Sequence, residues 1–74
     1  MCIREMLQMY RKKNNLSYRK MAKMLNVSPN LVWKWENEER LPNFDSVIKI
    51  SEILKIDLRE IVIAYMTEKT KRRA

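Results

Sequence analysis

Within the five residues Leu25-Asn26-Val27-Ser28-Pro29 one helical pattern stops and another begins, and no other stretch constrains the fold so closely. Before it, Tyr18, Met21, Ala22 and Leu25 fall at i, i+3, i+4 and i+7, the spacing of one buried helical face. After it the apolar pattern restarts in a new phase at Val32 and Trp35. Asn tolerates positive φ better than other non-glycine residues, so Asn26 suits the bend. Ser28 is placed to cap a second helix, and Pro29 suits its first position. The stretch therefore predicts two short helices joined by a tight turn. Val27, Val32 and Trp35 point to the core, leaving Pro29, Asn30, Trp33, Lys34 and Asn37 on an outer face.

The 74-residue chain contains no Gly and two Pro, which favours an all-α fold whose contacts are mostly local. An apolar fraction of 46% builds one compact core and one domain. The net charge is +7 and is unevenly placed: Arg11 to Lys34 holds seven basic residues and no acidic one, whereas Leu41 to Thr67 sums to −1. A polyanionic partner for the first half is expected from that field, against the plainer reading of a solvated basic surface. One cysteine, Cys2, and no His exclude an internal disulfide and a zinc-ligand set, so no metal and no cofactor is expected. The same lack leaves no nucleophile and base pair, so the chain does not read as an enzyme. No apolar run reaches the roughly 20 residues of a membrane span, and a cytoplasmic setting is expected.

In chain order, Ile3, Met6, Leu7 and Tyr10 mark a first amphipathic helix that stops at Asn14-Asn15, with Asn15 suited to a left-handed stop. Leu16 enters the core and Ser17 caps the second helix. Asn43 is the expected cap of a fourth helix lined inwardly by Phe44, Val47, Ile50 or Ser51, and Leu54. Asp57 with Glu60 has the spacing of a capping box for a fifth, whose stripe is Leu58, Ile61, Val62 and Tyr65. Ile63, Ala64 and Met66 spread that helix's apolar surface beyond one stripe, so it needs a second covering surface. Residues 1–66 form the expected domain, and 67–74, with Lys69, Lys71, Arg72 and Arg73, a basic disordered tail.

Laid out this way, the chain resembles the lambda repressor and Cro-type (Xre-like) helix-turn-helix family over about residues 3 to 62. The resemblance is carried by Leu16-Ser17, Met21-Ala22, Leu25-Asn26-Val27-Ser28, and Trp35-Glu36 followed by Arg40 and Pro42, each at the family's spacing. It implies a five-helix lambda-repressor-like domain that binds specific duplex DNA, usually as a homodimer, in transcriptional regulation, with repression the expected output. It maps base contact onto Pro29, Asn30 and Lys34, and phosphate contact onto Ser28, Asn37 and Tyr18, with Ser17 and Arg40 beside them. It also implies a structural ion pair between Arg11 and Glu36. Where family members commonly have Gln this chain has Tyr18, and where they have Gly it has Asn15, Asn26, Glu38 and Lys55. Glu38 and Lys55 suit a left-handed position poorly, so the loop after the third helix is expected to take a different path.

The chemistry follows from groove patterns. Asn30 suits adenine and Lys34 suits guanine O6 or N7. Trp33 reads equally as a thymine-methyl contact, a cover over Leu31, or a site for a protein partner. Tyr18 can donate its hydroxyl to phosphate or serve structure alone. Arg19 and Lys23, with Lys12, are assigned to general phosphate attraction. The unaccounted apolar surface at Ile63 and Met66, with Tyr65, is assigned to a dimer interface. The rival reading is a protein-interaction module using the fifth helix and Trp33, with a regulatory protein as partner.

Overall fold

The computed structural model describes residues 1–72, with side-chain surroundings through Lys71. Its described residues form five helices and no strand: α1 Ile3–Lys13, α2 Tyr18–Leu25, α3 Pro29–Glu36, α4 Phe44–Leu54 and α5 Leu58–Arg72. Local chemistry sets most of the boundaries. Ser17 Oγ accepts from the Lys20 amide at 3.1 Å, Ser28 Oγ from the Leu31 amide at 3.2 Å, and Asn43 Oδ1 from the Ser46 amide at 2.8 Å, each satisfying an orphan donor at a helix start. Asp57 Oδ1 accepts from both the Arg59 and Glu60 amides, at 2.9 and 3.2 Å, so the acidic cap of α5 acts through Asp57.

Each of the four junctions between helices carries one left-handed residue, and none is glycine: Asn15 (φ 55°), Asn26 (57°), Glu38 (58°) and Lys55 (56°). The chain thus takes at Glu38 and Lys55 the same left-handed conformation that it takes at the more tolerant Asn. At Lys55 the bend is held by backbone: the Ile56 amide donates to Ser51 O at 3.0 Å, and Ser51 Oγ donates to Ile56 O at 2.8 Å. That second bond also satisfies the hydroxyl of a buried serine.

All five helices contribute to one core: Ile3, Met6 and Leu7 from α1, Met21, Ala22 and Leu25 from α2, Val32 and Trp35 from α3, and Val47, Ile50 and Leu54 from α4. α5 adds Ile61, Ala64 and Tyr65. Two residues depart from the helical stripes. Phe44 is 50% exposed, its ring tilted against Tyr65 at 5.9 Å between centroids, and Leu58 is also 50% exposed. Both stand at the first position of their helix, before the turn that faces the core has closed.

The C-terminal stretch is also corrected. Residues 67–72 continue α5, and Glu68 Oε2 accepts the Ile3 amide at 2.8 Å, so a carboxylate near the end of the chain caps the first helix. Cys2 stands just before that helix, its backbone N–H donating to Glu5 Oε1 at 3.2 Å, which is the main reason the Glu5 carboxyl is held below its ordinary value. Arg73 and Ala74, and the Arg72 side chain, lie outside the described residues. Lys55→Gly removes the Cβ that a left-handed residue must accommodate, and thermal melting should show stabilisation of up to about 1 kcal/mol. An unchanged or lower Tm would mean that the bend at Lys55 costs the fold nothing.

Candidate nucleic-acid interface

The α2-turn-α3 unit presents its surface because of what it buries. On α3, Val32, Trp35 and Glu36 face inward, and that fixed rotation turns Pro29, Asn30 and Trp33 to solvent. Lys34 lies at the margin, half-buried. Trp33 is 39% exposed, and it neighbours Pro29 and Asn30 at the helical spacings i+4 and i+3. Asn37, at the end of α3, is exposed but not idle: its Nδ2 donates at 2.8 Å to Trp33 O, which also accepts its backbone N–H at 2.9 Å.

At the start of α2 and α3 the hydroxyls of Ser17 and Ser28 cap the helices by accepting from the Lys20 and Leu31 amides, and both helix starts carry a positive dipole end, which favours anions. Arg19, Lys23 and Arg40 are exposed. With α2, α3 and the segment after α3 they supply positive charge on the helix-turn-helix half of the domain. Lys12, assigned to the same field, instead lines a groove between α1 and the α4–α5 junction.

Behind this face sits a planar pair. Arg11 Nε donates to Glu36 Oε2 at 2.8 Å and Arg11 Nη2 donates to Glu36 Oε1 at 3.0 Å, a two-pronged geometry that a lysine cannot reproduce. The Glu36 side chain is 1% exposed and that of Arg11 16%. The guanidinium lies 4.3 Å from the centre of the Tyr18 ring and its Nη1 reaches Leu16 O at 3.4 Å. Hydrogen bonding to Glu36 raises the Arg11 pKa further above its ordinary value, so the guanidinium stays charged at every accessible pH. One side chain thus joins α1, the start of α2 and the end of α3, and holds the half-buried Tyr18 in place. Removing Glu36 strands a shielded cation, so Glu36→Ala should destabilise by about 3 kcal/mol. In a domain of this size that lowers Tm by more than about 10 °C, while no outward residue changes.

Of the residues assigned to self-association, Ile63 is 67% and Met66 54% exposed. Tyr65 is not with them: at 7% exposure it is buried in its own subunit, under Phe44 and with the Lys69 ammonium 5.7 Å from its ring. The cause is helical phase, since Tyr65 shares its side of α5 with Ile61. Sequence reasoning also missed Glu68, because a cap supplied from 65 residues away has no local spacing to betray it.

Among the described residues no group of His, Cys, Asp and Glu is arranged to hold a metal ion, and no helix is long and apolar enough to cross a membrane. No curated protein and no solved structure matches the chain. A family description does: with α2, the left-handed turn and the capped α3 placed as above, residues 7–61 match the helix-turn-helix family of Xre and lambda repressor type, and the chain belongs to that family of DNA-binding transcription regulators.

Proposed function

We propose that the protein is a sequence-specific regulator of transcription, of repressor type, that lays α3 in the major groove of duplex DNA and binds as a homodimer. The observation that carries this reading is the division of α3. Val32, Trp35 and Glu36 are locked inward, while Asn30 and Trp33 stand exposed beside a helix N-terminus that favours phosphate. In this reading Asn30 and the Lys34 ammonium read base edges, with Pro29 and Trp33 supplying apolar contact to thymine methyls. Ser17, Tyr18, Ser28, Asn37 and Arg40 approach phosphates, and Arg19 and Lys23 add sequence-independent attraction. The repressor output rests on the family resemblance.

Dimerisation is supported by the outer side of α5, where Ile63 and Met66 stand exposed at the helical spacing i and i+3. Closed two-fold association buries the same surface from both subunits and places two recognition helices about 34 to 36 Å apart. The bound site is then an inverted repeat with half-sites about 10 base pairs apart, and pairing two small reading surfaces supplies affinity that one lacks.

Selection from a random duplex library should return such a repeat. On it, Asn30→Ala and Lys34→Ala should each cost about 1 to 3 kcal/mol and relax preference at particular base pairs. Lys23→Ala should weaken all sequences alike and lower the salt slope by about one. Identical profiles for Asn30→Ala and Lys23→Ala would refute the assignment of the outer face. Sedimentation of Ile63→Asp/Met66→Asp should give a folded monomer with sharply reduced site affinity. A wild-type chain that binds its selected site with one subunit per duplex would exclude the dimer.

A further inference from the structure

α1 has two sides, and DNA recognition uses the support of only one. Arg11 faces α3, whereas Met9 and Lys13 stand two positions before and after it, about 200° away around the helix. That far side borders a groove of about 560 Å³ against the α4–α5 junction. Met6, Tyr10 and Ile56 form its floor, and Met9, 57% exposed, stands at its edge. Lys12 and Lys13 from the end of α1 and Lys55 from the left-handed bend bring three ammonium groups to the same groove. Asp57 and Glu60 also line the groove, so three ammonium groups stand against two carboxylates, and Asp57 Oδ1 accepts from the Arg59 and Glu60 amides at the start of α5. Among the described residues no ion pair engages these lysines.

We infer that this groove docks an acidic amphipathic helix of a partner protein, its apolar stripe on Met6, Met9, Tyr10 and Ile56 and its carboxylates against Lys12, Lys13 and Lys55. An open groove with an apolar floor matches the helix-in-groove mode of recognition, and unbranched thioether side chains adapt to a helical stripe at little strain. Three lysines against two carboxylates leave the lining net positive, with Lys12 and Lys13 together at the end of α1, which favours an acidic partner helix over a basic one. Because the groove lies on the side of α1 away from α3, the docked helix leaves Asn30, Trp33 and Lys34 free. The protein can then hold DNA and partner together, the arrangement needed to recruit one to the other.

The test uses the full chain, labelled for amide NMR, titrated with a synthetic helix of about 18 residues bearing Leu at i, i+3, i+4 and i+7 and Glu on its flanks. Amide shifts should appear at Met6, Met9, Tyr10 and Ile56 and not at Asn30 or Lys34, with or without duplex bound. The same peptide with Lys for Glu should bind about tenfold more weakly. Met9→Ser, at an exposed position outside the DNA-binding machinery, should weaken the acidic peptide about fivefold and leave duplex affinity unchanged. Three results overturn the inference: no groove shifts at millimolar peptide, equal binding of the acidic and basic peptides, or groove shifts that follow protein concentration alone, which would make a second copy the occupant. Equal shifts from decanoate at the same concentration overturn it too, in favour of a small anionic amphiphile.

Discussion

The Arg11–Glu36 pair sets the orientation on which the outer face depends. A carboxylate in a helix face that is otherwise Val32 and Trp35 must be matched where it lies, because an unpaired charge there costs several kcal/mol. The matching cation comes from α1, in a geometry that fixes both prongs of the guanidinium. Once Glu36 is held inward, α3 cannot roll, and Asn30 and Trp33 are held outward by the same constraint. The guanidinium's second face rests on Tyr18, so the start of α2 is positioned by the interaction that fixes the end of α3. A lysine in place of Arg11 would keep the charge and lose the fork and the stacking.

Around that point the chain turns four times, each time through a left-handed residue and never through glycine. At Asn15 and Asn26 the side chain suits the conformation, so these bends cost little. At Glu38 and Lys55 it does not, and the surroundings supply what the residue lacks. Glu38 lies within 3.6 Å of Arg4 in a solvent-exposed pair of small worth, while Lys55 is flanked by the Ser51 and Ile56 bonds. All four bends are therefore left-handed although no glycine stands at any of them. Side-chain tolerance at a bend limits which residues are comfortable there; it does not by itself redirect a chain whose helices are already packed.

α1 is the element that links the two ends of the molecule's function. One side carries Arg11 and braces the helix-turn-helix unit. Its first amide is capped by Glu68 from α5, so the helix that carries Ile63 and Met66 is tied to the helix that steadies α3. The far side of α1, lined by Met9 and lysines, belongs to neither task. Charge is divided as well, with Arg19, Lys23 and Arg40 exposed on the helix-turn-helix half and Lys12, Lys13 and Lys55 lining the groove.

Sequence alone determined what depends on neighbours a few residues apart. The phase change across Leu25 to Pro29 marked the turn, Ser17, Ser28 and Asn43 marked helix starts, and the spacing of Val32 and Trp35 marked which side of α3 is inside. These are local effects, set by helical periodicity and by side chains that reach an amide three residues on. Tertiary structure alone decided that Phe44 and Leu58, apolar and in phase, stay half in water because each stands at the edge of its helix's packed turn. It also decided that Tyr65 is covered by Phe44 instead of being left for a partner, and that the stretch after residue 66 continues as helix with Glu68 bonded to Ile3. The gathering of Lys12 and Lys13 with Lys55 into one groove belongs to the same class. Such facts join residues tens of positions apart, and only the packing of α1 against α4 and α5 brings them within reach of one another.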